Sequence, residues 1–248
     1  MGILCRGGTD IGRKRKTNQD SICLDHPHLF YSVADGMGGH NGGDIASQIS
    51  VRIMPEYIKK NLKTEPQELM KNVIHEINQA IYQKAQEQPE LHGMGTTITA
   101  IQFCGPQLVI GNVGDSRAYM INNHNIYQLT RDHSWVQQRL NLGVYTREEA
   151  VHDPQRNALY IAVGIDPELD VDIFNYRICK NDIFLICSDG LHGKVSDADI
   201  LHIVLKNIPD PSKCNLSHID NAVKALIDQA NQNGGNDNIS AILAVAQA

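Results

Sequence analysis

Paired cysteines and long apolar runs are both missing from this chain of 248 residues. None of its 6 cysteines forms a Cys-x-x-Cys pair, and several lie in apolar runs typical of strands. We therefore expect reduced, mostly buried thiols rather than a disulfide framework or a zinc knuckle.

No apolar run is long enough to span a bilayer. Residues 1–6 are too short for a signal peptide, and Arg6 stands where a myristoylation signal requires Ser or Thr, so we expect a cytoplasmic protein with no membrane partner.

The chain also has no excess of positive charge. It carries 22 Lys and Arg against 28 Asp and Glu, a net charge of -6, which argues against nucleic acid as a partner. The dense basic cluster at residues 13–16 is typical of a solvated surface, although a nucleic-acid contact or a single anion-binding side chain stays open. We find no repeat and no low-complexity linker, so we expect one domain over residues 1–248 and, by default, a monomer.

Two well-known motifs begin in the sequence without being completed. The glycine-rich residues 36–43 contain no Gly-Lys-Ser/Thr, and Asn41 stands where Gly-x-Gly-x-x-Gly requires its last glycine. His75 and Glu76 start a zinc-protease motif, but Gln79 occupies the position of the second His. These departures exclude a nucleotide loop and a zinc protease of these types.

Acidic residues in turns beside apolar runs are the most informative feature that is present. Asp35 and Asp189 directly follow strand-like runs, and Asp20 and Asp237 directly precede them. Each Asp taken alone is typical of a plain turn. Several carboxylates converging at the mouth of a sheet would repel one another unless cations lay between them. Oxygen ligands suit Mg²⁺ or Mn²⁺, and Gly36 can offer its carbonyl because no side chain blocks approach.

Hydrophobic periodicity predicts strands and helices in separate groups, which indicates an α+β fold with stacked layers. The predicted helices cover residues 44–60, 66–87, 197–206 and 216–232. The predicted strands cover residues 21–34 as a hairpin, then 96–104, 107–113, 116–122, 125–129, 171–178, 181–187 and 239–246. We expect the consecutive strands of residues 96–129 to form one antiparallel sheet because their links are short. Residues 132–163 are polar and broken, and we interpret about 135–160 as a flap-like insertion.

A series of motifs occurs in a fixed order along the chain. The series consists of residues 15–20, Asp35-Gly36-Met37-Gly38-Gly39-His40, Gly95-Thr96-Thr97, Gly114-Asp115-Ser116-Arg117-Ala118, residues 129–134, Ser188-Asp189-Gly190-Leu191 and residues 235–238. Each motif is weak alone, but the ordered series resembles the metal-dependent type 2C protein serine/threonine phosphatase family in its compact bacterial form. The resemblance extends from about Gly12 to Val245.

This resemblance implies a four-layer α/β/β/α sandwich with two central antiparallel sheets and a metal centre at one end. It implies two ions, Mn²⁺ or Mg²⁺, with Asp35 bridging both. Asp189 and Asp237 would bind one ion, and the carbonyl of Gly36 the other. Hydrolysis would proceed by direct attack of a metal-activated water, without a covalent enzyme intermediate.

The resemblance also implies roles around the metal centre. Arg15 would grip the substrate phosphate because its planar fork can bind two oxygens. Asp20 would hold metal-bound waters, and Asn238 would contact substrate. The leaving oxygen needs a proton, from a metal-bound water or from a nearby His such as His40.

The chain departs from the family pattern at three positions. Gln19 replaces a Glu found in many relatives, and an amide can still orient a metal-bound water. Met37 stands where eukaryotic members carry a His proposed as the general acid. Gly193 stands where many relatives carry an Asp that binds a third metal together with the aspartate corresponding to Asp115. Asp115 therefore remains a metal candidate without its usual partner, and a third ion is not expected to bind tightly.

The predicted activity is hydrolysis of phosphoserine and phosphothreonine in proteins, with phosphoproteins of a cognate kinase as substrates. A catalytically weak phosphoprotein-binding module on the same fold is the alternative. The retained acidic cluster argues against it, because a binding module has no need for mutually repelling carboxylates. A phosphatase of small phosphoesters is a third possibility.

Overall fold

The structure is a computed structural model that describes residues 2–38, 42–155 and 158–247. Within these ranges the backbone forms eleven strands and seven α-helices. The strands are β1 (Gly2–Asp10), β2 (Asp20–Asp25), β3 (Phe30–Met37), β4 (Gly95–Thr96), β5 (Ile98–Cys104), β6 (Gln107–Val113), β7 (Arg117–Asn122), β8 (Asn125–Gln128), β9 (Asp172–Arg177), β10 (Ile183–Cys187) and β11 (Ile239–Gln247). The helices are α1 (Gly43–Lys60), α2 (Pro66–Glu87), α3 (Trp135–Asn141), α4 (Arg147–His152), α5 (Asp189–His192), α6 (Asp197–Asn207) and α7 (Leu216–Gln232).

The strands form two antiparallel sheets that pack face to face. One sheet has the order β1-β11-β10-β7-β8, and the other has the order β2-β3-β5-β6-β9, with β4 paired to the end of β3. Helices α6 and α7 pack on the first sheet, and α1 and α2 pack on the second. The predicted α+β fold, a four-layer α/β/β/α sandwich, is confirmed.

Large apolar side chains fill the space between the sheets. Tyr31, Phe103 and Phe184 form an edge-to-face series with ring centroids 6.1 and 5.6 Å apart. Outside the first sheet, one apolar face of α7 is buried, with Ile219 and Leu226 fully enclosed, although Leu216 at the start of the helix is exposed. Close packing on both faces gives the strand ends fixed positions, which a site built from those ends requires.

The strands of residues 98–128 do not share one sheet, so that prediction was wrong. Strands β5 and β6 pair in the six-stranded sheet, whereas β7 and β8 belong to the five-stranded sheet. The chain crosses between the sheets at residues 114–116, where Gly114 has a φ of +101°. Strand β7 then pairs with β10, with Ile121 opposite Ile183. Short links favour pairing of consecutive strands, but they do not prevent a crossing through a glycine turn.

Strand β1 is an edge strand that the sequence patterns did not predict. Of its nine residues only Cys5 is buried, so an alternation of buried and exposed positions is weak. Gly7 and Gly8 in its middle also lower the strand propensity. The strand forms because β11 presents a long backbone edge, paired from Gly2 opposite Gln247 to Asp10 opposite Ile239.

The polar segment that was interpreted as a flap carries two short helices, α3 and α4. Its ends meet at a bridge between Ser134 and Leu159, and the Tyr160 amide donates to the His133 carbonyl (3.0 Å). The two ends of the segment are therefore held together where they join the sandwich. Among the residues that the structure describes, no helix has the length and apolar character that crossing a membrane requires.

Candidate functional site

Two of the predicted acidic residues lie side by side at one end of the six-stranded sheet. Asp20 begins β2 and Asp35 lies near the end of β3, and the two are direct cross-strand partners. The backbone around Asp35 is held tightly, because its amide donates to Thr97 Oγ1 (3.0 Å) and its carbonyl accepts from Thr96 Oγ1 (2.9 Å). Register in the sheet therefore brings together two carboxylates that are 15 residues apart in the chain.

The other three predicted carboxylates lie at one end of the five-stranded sheet. Asp189 follows β10, while Asp115 and Asp237 precede β7 and β11, the two neighbours of β10. Because β10 runs antiparallel to both neighbours, the end of β10 lies beside the starts of β7 and β11. The ends of the two sheets meet here, since Ser188 Oγ donates to Asp20 Oδ2 (2.8 Å).

The carboxylates are close enough to interact directly. The charge of Asp189 acts on Asp35 and on Asp115, and the charge of Asp237 acts on Asp189. One oxygen of Asp189 and one of Asp20, Oδ1 in each case, are buried without a hydrogen-bond partner among the described residues. Buried carboxylate oxygens without partners are costly in a folded protein, so they indicate a ligand that the polypeptide itself does not supply.

Burial and mutual repulsion raise the pKa values of these carboxyl groups. Burial and the neighbouring Asp189 raise the pKa of Asp115 to about 8. Burial raises the pKa of Asp20 to about 6, with the charges of Asp189 and Asp237 adding to the effect. The pKa of Asp189 is also raised to about 6, by burial and by Asp237. Burial and four neighbouring carboxylates, Asp20 first among them, raise the pKa of Asp35 well above its usual value. The cluster thus favours cations, either protons or metal ions.

Glycines beside two of the carboxylates allow the backbone to pass without side chains. A Cβ atom at Gly36 would lie 2.0 Å from the Gly43 carbonyl oxygen, and one at Gly190 would lie 1.8 Å from the Asn238 carbonyl oxygen. Neither φ angle is in the left-handed region, so crowding by neighbouring backbone requires glycine at both positions. The Asp-Gly pairs of the sequence therefore mark close backbone approaches at the site.

Arg15 lies at the site, where its guanidinium donates to Asp237 Oδ2 (2.6 Å). The hydrogen bond to Asp237 is the main reason why the pKa of Arg15 is raised, and the charges of Asp35 and Asp189 contribute further. The Arg15 side chain is 49% exposed, so it remains accessible to an incoming anion. The guanidinium of Arg15 is thus the group of the basic cluster that reaches the acidic site.

Asn238 is buried, and its side chain bonds to the backbone rather than to the open face of the site. Its Nδ2 donates to the carbonyls of Ile11 and Thr17 (3.0 Å each), and its Oδ1 accepts from the Gln19 amide (2.8 Å). These contacts hold the loop that carries Arg15. The predicted substrate contact of Asn238 stays a prediction, and the observed contacts support a bracing role instead.

The remaining predicted site residue, His40, lies outside the described residues, so its role as an acid stays a prediction. Two hydroxyl residues of the motifs, Ser188 and Thr97, also belong to the site, and the sequence patterns did not indicate this. Ser188 and Thr97 were recognised as motif positions but were given no role, although both bond to the site. A small hydroxyl residue directly beside a strand-flanking Asp or Gly is the signal that could have identified Ser188.

The donor set fits hard divalent cations in its chemistry. It consists of carboxylate oxygens with one glycine carbonyl nearby, which is the ligand type that Mg²⁺ and Mn²⁺ prefer. Within residues 2–38, 42–155 and 158–247, no three His, Cys, Asp or Glu side chains already converge as a metal-binding group. Asp237 instead pairs with Arg15, while Asp20 and Asp189 each keep one buried oxygen without a partner among the described residues. Chemistry, burial and partnerless oxygens support a metal site here.

Comparison with known proteins gives a consistent result. A family model described as Protein phosphatase 2C matches residues 8–244. The serine/threonine phosphatase stp of Listeria monocytogenes serovar 1/2a is 37% identical over 243 residues, which cover 95% of this chain and 92% of the relative. The solved structure of the serine/threonine phosphatase Stp1 from Staphylococcus aureus has a TM-score of 0.89 at 33% identity, covering 100% of this chain and 96% of that one.

A second solved structure bears on the metals. It contains the catalytic domain of the serine threonine protein phosphatase PstP in complex with 2 manganese ions, and it matches with a TM-score of 0.85 at 29% identity over 98% of both chains. The ordered motifs, the sandwich and these relatives agree over nearly the whole chain, so the resemblance inferred from the motifs is confirmed. The chain belongs to the protein phosphatase 2C family.

Proposed function

We propose that this protein is a divalent-metal-dependent phosphatase that hydrolyses phosphoserine and phosphothreonine in proteins. One observation carries the proposal. Asp20, Asp35, Asp115, Asp189 and Asp237 come from five separate strand ends and interact electrostatically beside Arg15. Stability alone does not favour so many repelling carboxylates together, whereas a metal-dependent hydrolase requires them.

The position of each residue indicates its role in hydrolysis. When bound, divalent ions lower the pKa of water and offset the charge of a phosphoryl group. Asp35, Asp189 and Asp237, with the Gly36 carbonyl, are the residues that would hold them. Asp20 is fixed by Ser188, which leaves its Oδ1 available to accept a proton from a water.

Arg15 provides the chain's own cation at the phosphate. Its exposed guanidinium can donate two parallel hydrogen bonds to phosphoryl oxygens and orient the phosphorus for in-line attack. Its present partner is Asp237. Binding of metal by Asp237 would free the guanidinium for substrate.

Several finer features belong to the same proposal. They are the use of Mn²⁺ or Mg²⁺ as two ions, a cognate kinase that supplies the substrates, a cytoplasmic location and a monomeric single domain. Access to the site would be shaped by the flap-like residues 135–160. The relatives that are named serine/threonine phosphatases support catalysis over a phosphoprotein-binding module, which is therefore not favoured.

The proposal is tested by phosphate release from a phosphothreonine peptide with Mn²⁺ or Mg²⁺, compared with EDTA. We expect metal-dependent release that EDTA abolishes and that is lost in Asp237→Asn. Asp228→Asn is the matched control, because Asp228 is an exposed helical residue paired only with Lys224 among the described contacts. Absence of release by folded protein with either metal would refute the proposal and favour the binding module.

A further inference from the structure

A hydrogen bond between two buried hydroxyl groups connects the two sheets next to the carboxylates. Thr97 lies between β4 and β5 in the six-stranded sheet, and Ser116 lies just before β7 in the five-stranded sheet. Their hydroxyl oxygens are 2.8 Å apart, and both residues are almost completely buried, at 3% and 0% exposure. This hydrogen bond crosses from one sheet to the other at the end that carries the site.

Each of the two residues is also connected to a predicted metal ligand, Thr97 through hydrogen bonds and Ser116 through the chain. On one side, Thr97 Oγ1 accepts from the Asp35 amide (3.0 Å), and the Thr97 amide donates to the Asp35 carbonyl (2.8 Å). The peptide groups on both sides of Asp35 are therefore held by one residue. On the other side, Ser116 directly follows Asp115 in the chain.

The Ser116 side of the bridge is fixed independently. The single proton of the Thr99 hydroxyl is shared between two acceptors, the Ser116 carbonyl (2.8 Å) and Asn112 Oδ1 (2.6 Å). The methyl group of Thr97 packs against the turn, since a Cβ atom at Gly114 would lie 2.6 Å from Thr97 Cγ2. The turn that carries Asp115 thus has little freedom to move relative to β5.

We propose that Thr97 and Ser116 are positioning residues whose hydroxyl–hydroxyl hydrogen bond sets the placement of Asp35 relative to Asp115 for metal binding. The inference rests on the proposed function, because it assumes that Asp35, whose backbone the bridge fixes, holds metal. Packing of the two sheets fixes how their faces lie against each other. The positions of the loops at the sheet ends depend on additional polar contacts. Groups that orient metal ligands in this way typically change metal affinity by roughly 10- to 100-fold when they are removed.

The test measures Mn²⁺ affinity by calorimetry and by the signal of free Mn²⁺ in electron paramagnetic resonance. Thr97→Val keeps the shape of the side chain without the hydroxyl, Thr97→Ser keeps the hydroxyl without the methyl, and Ser116→Ala removes the partner. We expect Thr97→Val and Ser116→Ala to weaken Mn²⁺ binding by roughly 10-fold or more, and Thr97→Ser to stay within about 3-fold of the unaltered protein. The double variant should match Thr97→Val, because the same bond cannot be lost twice.

Ser50→Ala is the matched control. Ser50 is a fully buried hydroxyl residue in α1 whose Oγ donates to the Ala46 carbonyl of the same helix (3.0 Å). It reports what the loss of any buried hydroxyl does to folding, and we expect unchanged Mn²⁺ affinity. If Thr97→Val does not fold, the comparison of Ser116→Ala with Thr97→Ser tests the same bond.

The outcomes separate the inference from the function on which it rests. Loss of Mn²⁺ binding in Asp35→Asn together with normal affinity in Thr97→Val and Ser116→Ala would overturn the positioning role alone. Equal losses in Thr97→Ser and Thr97→Val would also overturn it, since methyl packing would then be the cause. Failure of the unaltered protein to bind Mn²⁺ would overturn the inference and the proposed metal site together.

Discussion

Replacing Asn238 by Ala should destabilise the whole protein, because the side chain braces the loop that carries Arg15. The structure gives its amide three backbone partners, the carbonyls of Ile11 and Thr17 and the amide of Gln19. A hydrogen bond contributes a net of about 0.5–1.5 kcal/mol, so three bonds give roughly 1.5–4.5 kcal/mol. The upper half of this range is expected, because Asn238 is only 4% exposed and water cannot easily replace it.

The assay is urea unfolding combined with phosphopeptide kinetics. Asn61→Ala is the control, since the Asn61 Nδ2 makes one hydrogen bond, to the Tyr57 carbonyl (2.8 Å), at the end of α1. We expect the control to lose about 0.5–1.5 kcal/mol, clearly less than Asn238→Ala. Asn238→Asp should be at least as damaging as Asn238→Ala, because a carboxylate would face two carbonyl oxygens. A higher KM for Asn238→Ala with unchanged unfolding free energy would refute the bracing role and restore the predicted substrate contact.

Three further predictions concern the site. Gly36→Ala should destabilise the fold by about 1–3 kcal/mol or more, because its Cβ would lie 2.0 Å from the Gly43 carbonyl oxygen. Thermal unfolding measures this loss, and Gly2→Ala is the control that should be neutral, because a Cβ there meets nothing within 4 Å. The metal-free protein should lose stability as the pH rises from about 4 to about 8. Raised folded-state pKa values, about 6 for Asp20 and about 8 for Asp115, mean that the folded protein binds more protons than the unfolded one in that window, and urea midpoints that rise with pH there would contradict this. Arg15→Ala should mainly raise KM for a phosphopeptide, and an unchanged KM would remove Arg15 from the phosphate site.

The sequence by itself predicted most of the helices and strands, though not β1, and it nominated the residues of the candidate site. The helix stripes of α2 and α7 were predictable because burial of one face imposes a period near 3.6 residues. The candidate residues could be nominated because Asp and Gly recur at predicted strand ends in a specific order, and the order of motifs can be read directly from the sequence. Asp35 and Asp237 were therefore assigned before any geometry was known.

Only the tertiary structure decided which strands share a sheet and which polar groups meet across it. Periodicity reports how one element is buried, but not its partner, so the split of β6 from β7 at Gly114 and the pairing of β1 with β11 were not predictable. The same limit applies to Asn238 and Thr97. Their hydrogen bonds join residues 219 and 62 positions apart, and a bond between distant residues leaves no local pattern. The physical reason is that the sequence specifies local preference and burial, whereas long-range polar contacts exist only after the sheets have packed.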